Sequence, residues 1–109
     1  YFSRGGSFDV ALAPGGTIVG CCGVMRHDDE TAELRKMYLR REARGDGVGR
    51  RLLERAIAFA RARRFARLEL ETASVLKEAI GLYRKAGFVE RPGALATCRC
   101  DQAFVLDLA

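Results

Sequence analysis

The sequence predicts one α/β (α+β) domain, a single layer of sheet with two main helices against it, in the order β-β-β-α-β-α-β-β. Three observations predict it. A chain of 109 residues allows one domain and little more. Short runs alternate apolar and polar residues, the period of two expected of half-buried strands. Two other stretches repeat their apolar residues at three- and four-residue steps, the helical period. No repeat, linker or low-complexity segment breaks the pattern, so residues 1–109 read as a single domain.

The elements follow in order. Phe8, Val10 and Leu12 alternate as a strand exposed on one face. Pro14-Gly15-Gly16 is a turn, and a second strand from about Thr17 to Met25 completes a hairpin. Polar residues 27–30 lead into a third strand, about Ala32 to Leu39. Its phase slips, because Ala32 and Leu34 are even whereas Met37 and Leu39 are odd, which is what a β-bulge produces. Val48, Leu52, Leu53, Ala56, Ile57 and Ala60 then mark a long helix with arginines and Glu54 on its other face. Arg67–Thr72 (RLELET) is a fourth strand, with Leu68 and Leu70 on one face and Glu69 and Glu71 on the other. Ser74 is expected to cap a second helix whose Leu76, Ala79, Ile80 and Tyr83 share a face. Gly87 supplies its left-handed terminus, and Phe88 packs back. Two short strands, near Ala96–Cys100 and Ala103–Leu108, turn at Asp101-Gln102 and close the order.

Composition narrows the function. Hydrophobic residues at 49% and charged residues at 30% describe a globular protein. No apolar run approaches the roughly 18 residues of a membrane span, and the first residues lack the order of a signal peptide. The chain opens on Tyr1 rather than Met, so a processed or shortened chain is expected. The net charge of +5 comes from 16 Arg and 3 Lys against 14 acidic residues. Arginine's planar fork suits phosphate, yet the few aromatics and the absence of a recognised motif speak against nucleic acid. Cys21 and Cys22 point to opposite faces of a strand, and neither C-C nor the C-x-C of Cys98 and Cys100 has the spacing of a zinc knuckle. His27 is the one histidine. No metal is expected, and free thiols in a reducing, cytoplasmic compartment account for the cysteines.

The chemistry concentrates between the third strand and the first helix, at Arg44-Gly45-Asp46-Gly47-Val48-Gly49-Arg50. Glycines at a helix entrance cost roughly 0.5–1 kcal/mol each where the chain is helical. The compensation is access: the first N–H groups of a helix have no internal partner, and without Cβ atoms a phosphate can reach them. Each such bond can contribute about 1.5–3 kcal/mol. The loop is not a P-loop, since the Walker lysine and Ser/Thr are missing, and antiparallel hairpins before it exclude a dinucleotide-binding βαβ unit.

The stretch ELRKMYLRREARGDGVGRRLL, then LELET, then AIGLYRKAGF, resembles the GNAT family of N-acetyltransferases. Arg44, Gly47 and Gly49 match its R/Q-x-x-G-x-G/A loop, and Leu82, Tyr83, Gly87 and Phe88 match an L-Y-x-x-x-G-F element in the right order. The resemblance implies a mixed, mostly antiparallel sheet whose one parallel strand pair splays around acetyl-CoA. By similarity, the main chain of Met37, Tyr38 and Leu39 would pair with the pantetheine arm and acetyl carbonyl. The amides of Arg44, Gly45, Asp46, Gly47, Val48, Gly49 and Arg50 would hold the pyrophosphate. The implied reaction is direct transfer of an acetyl group from acetyl-CoA to a primary amine of a small molecule or peptide. Tyr83 matches the acid that protonates the leaving thiolate, and Glu71 and Glu33 stand where different relatives place a base.

Two features depart from the family pattern. Asp46 sets a carboxylate inside the phosphate loop, and Leu76 stands where many relatives carry an Asn. The sequence also has no stretch for the family's usual first strand and two following helices. Exposed strand edges are compatible with a homodimer. The alternative reading is a non-catalytic acyl-CoA-binding or regulatory module.

Overall fold

A computed structural model describes residues 7–41, 47–73, 76–91 and 102–108. Eight elements run in chain order as β1 (Ser7–Leu12), β2 (Ile18–Arg26), β3 (Thr31–Leu39), α1 (Val48–Ala62), β4 (Arg67–Thr72), α2 (Lys77–Lys85), β5 (Val89–Glu90) and β6 (Gln102–Asp107). They form one six-stranded sheet in the order β1-β2-β3-β4-β6-β5. Every neighbouring pair is antiparallel except β3 and β4. A parallel pair needs a crossover, and α1 provides it.

Register fixes which side chains share a face. Cys22, Val24, Ala32, Leu34, Leu68, Leu70, Phe104 and Leu106 lie on one face and are buried. Against them α1 lays Leu52, Leu53, Ala56, Ile57 and Ala60, its apolar stripe. Arg55 of α1 reaches Asp9 of β1 at 3.2 Å, which anchors the helix to the sheet edge. The second helix joins the same face. Tyr83 meets the Phe104 ring at 6.3 Å between centroids, and Leu82 lies against Gly49 of α1. Both helices therefore cover one side of the sheet.

The expected phase slip is present and has a location. Cys21 pairs with Tyr38, and Gly23 with Arg35, so Lys36 and Met37 together oppose Cys22. That extra residue turns Met37 and Leu39 to the helix side, where Ala32 and Leu34 already point.

Two expectations at the C-terminal half need correction. The second helix begins at Lys77, with Leu76 in the capping position and no side-chain cap. Ser74 lies outside the described residues, and Leu76 is exposed rather than part of the buried face. Leu76 is exposed, so no packing at this position draws a further turn onto the sheet. The seventh element is β5 at Val89–Glu90, paired with Val105 and Phe104. The expected strand at 96–100, with Cys98 and Cys100, lies outside the described residues. Gln102, expected in a turn, instead opens β6 opposite Thr72.

The end of α2 follows expectation. Gly87 takes φ +105°, and Phe88 donates its N–H to the Tyr83 carbonyl at 3.0 Å. That left-handed exit brings the Phe88 ring within 5.8 Å of Tyr83.

Candidate functional site

The parallel ladder between β3 and β4 is short. It joins Thr31 to Arg67, Ala32 to Leu68 and Glu33 to Glu69, and stops there. Both strands continue: β3 runs on to Leu39 beside β2, and β4 runs on to Thr72 beside β6. Two neighbouring strands that each stay paired on the outside while unpairing from one another must diverge. The result is a cleft, rimmed on one side by residues 34–39 and on the other by residues 70–72. Met37, Tyr38 and Leu39 all lie on that rim.

At the same end of the sheet α1 begins. Gly47 occupies its capping position at φ +81°, a left-handed conformation that costs an L-residue about 1–2 kcal/mol. The first helical bond runs from the Arg51 N–H to the Gly47 carbonyl at 3.0 Å, so the N–H groups of Val48, Gly49 and Arg50 precede it. No side chain caps this terminus, and no acidic residue occupies its first turn. Gly49 has a different task. A Cβ there would come within 3.2 Å of the Leu82 tip and 3.3 Å of the Leu39 tip. Its absence lets α1, α2 and the rim strand meet closely. Arg44, Gly45 and Asp46 lie outside the described residues.

Tyr83 sits beneath the cleft. From α2 its ring packs on Phe88 and on Phe104 of β6, and it is 5% exposed. Burial pushes its hydroxyl up to about 12, and the Cys22 thiol of β2 adds to the effect. Phe104, on which the ring packs, pairs with Leu70 of β4, the first β4 residue beyond the ladder. Cys22 opposes the bulge and is itself pushed up to about 12, by burial first and Asp9 second. Both groups are neutral at physiological pH. Tyr83 is part of the buried core.

The carboxylates occupy the opposite face. Glu33 and Glu69 face each other across the last ladder pair, and Glu71 follows Glu69 on the same side. Glu33 is held by Arg35 at 3.0 Å. Glu69 is ion-paired with Arg91, which arrives across β6 from the end of β5. Glu71 is exposed and has no ion pair or side-chain hydrogen bond among the described residues. The sequence offered no local sign of the Arg91–Glu69 pair, because its partners lie 22 residues apart on strands separated by β6. The nearness of Cys22 to Tyr83 was within reach: the bulge phase already aims Cys22 toward the helices.

Among the described residues no group of histidine, cysteine or carboxylate side chains is arranged to hold a metal ion. Nor is any described helix long and apolar enough to cross a membrane.

Comparison with known proteins agrees with this architecture. An "IAA acetyltransferase" of Azospirillum brasilense is 45% identical over 78 residues, covering 70% of this chain and 50% of that protein. The chain thus spans half the length of this curated relative. An acetyltransferase of the GNAT family from Staphylococcus aureus Mu50 superposes with a TM-score of 0.93 at 25% identity, over 100% of this chain and 72% of the other. An acetyltransferase from Streptococcus agalactiae 2603 gives 0.89 at 33% identity, over 99% and 70%. The sequence profile of the acetyltransferase (GNAT) family matches residues 2–88, which run from β1 through the Phe88 that closes α2. The match over most of its length means that the chain belongs to the acetyltransferase (GNAT) family.

Proposed function

We propose that the protein is an acetyl-CoA-dependent N-acetyltransferase acting on a primary amine of a small molecule or peptide. The observation that carries this reading is the three-pair ladder between β3 and β4, which leaves an opening beside an uncapped helix terminus. A pantetheine arm is an extended chain with two amides, and the diverging rim of β3 offers the complementary main-chain groups at Met37, Tyr38 and Leu39. The amides of residues 44–50 would take the pyrophosphate, favoured by the positive end of the α1 dipole. The bare conformation of Gly47 fits that task, since among the described residues, its chain neighbours aside, no atom lies within 4 Å of where its Cβ would stand. The sequence's surplus of arginine suits a ligand with a diphosphate and a phosphate monoester.

The reaction joins the amine nitrogen to the acetyl carbon and breaks the carbon–sulfur bond, leaving an amide and the coenzyme thiol. The amine must attack in neutral form, so a base has to take a proton from its ammonium, directly or through water. Of the two candidates Glu71 is favoured, because Glu33 is engaged by Arg35 whereas Glu71 is open to solvent. A rim N–H of β3 would meet the developing charge on the carbonyl oxygen. Tyr83 would serve the departing sulfur. With its hydroxyl near 12 and an ordinary thiol near 8.5, full proton transfer is uphill by several kcal/mol. Tyr83 therefore first donates a hydrogen bond to the thiolate, and the proton follows as the product leaves.

Isothermal titration with acetyl-CoA, followed by thiol release against a panel of amines, tests the reading. Saturable binding with amine-dependent thiol release is the expected result. Binding without release from any amine would instead support a non-catalytic acyl-CoA-binding module, and no binding at millimolar coenzyme would refute both.

A further inference from the structure

We infer that the acceptor is a cationic amine borne on an apolar, aromatic body and free of a carboxylate, selected by Glu71 and the Tyr38 ring. This inference rests on the acetyltransfer reading and goes beyond it in naming the acceptor class. Register decides the geometry. Tyr38 pairs with Cys21, which lies on the face of Val10 and Met25, and Met25 pairs with Glu33. Glu33 pairs in turn with Glu69, and Glu71 follows it two residues on. Tyr38 and Glu71 therefore project from opposite rims of the cleft onto the face that neither helix covers. The bulge is what puts Tyr38 there: in a regular strand of the same sequence, Tyr38 would point to the helices and Met37 outward.

The chemistry of the rim is specific. Arg35 neutralises Glu33 and Arg91 neutralises Glu69, which leaves Glu71 as the unbalanced charge of the group. A lone carboxylate attracts an ammonium and repels a carboxylate attached beside it. The Tyr38 ring is 54% exposed, an unusual state for a large aromatic with no partner among the described residues. Counting from the last ladder pair, Glu71 lies two residues out and Tyr38 effectively four, the bulge absorbing one. At about 3.3 Å per residue the two are roughly 7 Å apart along the strands. A short arylalkylamine can place its nitrogen at Glu71 and its ring on Tyr38 at the same time.

Three acceptors test this with the purified protein and acetyl-CoA: phenethylamine, L-phenylalanine, which adds only a carboxylate, and ethylamine, which lacks the ring. The expected kcat/KM for phenethylamine exceeds that of each of the others at least tenfold. Tyr38→Ala should raise the KM for phenethylamine about tenfold more than the KM for ethylamine, while Tyr38→Phe retains the preference. Saturable acetyl-CoA binding by each variant reports that it is folded. Phenylalanine used as well as phenethylamine, equal losses for both amines in Tyr38→Ala, or acetyl-CoA binding with no transfer to any of the three would overturn the inference. Failure to bind acetyl-CoA at all would instead remove the acetyltransfer reading beneath it.

Discussion

Gly47→Ala isolates the conformational demand of the helix entrance from every other effect. Gly47 holds φ +81°, and among the described residues, its chain neighbours aside, nothing lies within 4 Å of a Cβ added there, so they do not crowd it. Holding an L-residue in the left-handed region costs about 1–2 kcal/mol. Alanine also stiffens the unfolded chain, which returns about 0.4–1 kcal/mol. The net loss is about 1 kcal/mol, and a domain of this size loses about 4–8 °C of Tm for that amount. Thermal unfolding followed by circular dichroism reads it directly. Gly47→Asn should recover part of the loss, because asparagine tolerates this conformation better than alanine. The coenzyme adds a second readout. Where the free variant relaxes out of the left-handed turn, the Tm loss shrinks and the cost moves to binding, raising the Kd for acetyl-CoA by up to about fivefold. An unchanged Tm together with an unchanged Kd would refute the conformational reasoning. Gly49 supplies the contrast, since there the limit is space. Gly49→Val would press against the Leu82 and Leu39 tips and should cost about 1–3 kcal/mol by overpacking.

Other consequences follow from single residues. Arg64 ends α1 at φ +63°, so Arg64→Gly should stabilise the protein by about 0.5–1 kcal/mol, seen as a higher urea midpoint at constant m. Leu53→Ala removes a side chain that is 1% exposed at the centre of α1 and should destabilise by about 2–5 kcal/mol in the same assay. The buried acids predict alkaline behaviour. Cys22 and Tyr83 are raised from 9.0 and 10.0 to about 12, so the unfolded chain loses their protons first. Their contribution is complete below pH 9 and is lost as pH climbs from about 9 to 12. Urea midpoints across that range should fall, and Cys22→Ala and Tyr83→Phe should each flatten the decline. For turnover, Glu71→Gln should lower kcat/KM about 10²-fold or more, whereas Glu33→Gln, which loses a carboxylate already engaged by Arg35, should cost under tenfold. Thiol release with a fixed amine measures both.

How much of this was legible beforehand depended on whether the signal was local. The bulge could be read because a period of two cannot change parity within a strand without an inserted residue, and Leu34 to Met37 change it. Likewise the alternation of RLELET separates Leu68 and Leu70 from Glu69 and Glu71, as the register requires. The start of α2 was misread. Ser74 looks like a cap in sequence, yet the helix begins three residues later, because helix boundaries answer to packing and Leu76 finds none. β5 was missed since two residues cannot show a period, and their pairing with Val105 and Phe104 is a fact of tertiary structure. For the candidate site, the glycines and Tyr83 announce themselves by spacing. Which carboxylate is unencumbered does not, because Arg91 meets Glu69 only after β6 has come between β4 and β5.

The bulge and the broken ladder act together. A parallel pair that stayed zipped past Glu33 would leave β3 flanked on both sides, with no main chain to offer and no opening above Tyr83. A regular β3 of the same sequence would still diverge, but Met37 and Leu39 would leave the core and Tyr38 would enter it, beside the Cys22 that the bulge now opposes. Deleting Lys36 is a different perturbation, because it removes the bulge and its parity change together. Met37 then opposes Cys22 alone and Tyr38 still opposes Cys21, so the rim keeps both faces from residue 37 onward: the ring proposed to meet the acceptor stays outside, and Met37 and Leu39 stay near Gly49. Such a variant should keep its discrimination between phenethylamine and ethylamine. A deletion variant that bound acetyl-CoA but had lost that preference would show that the parity of β3 does not set the acceptor face.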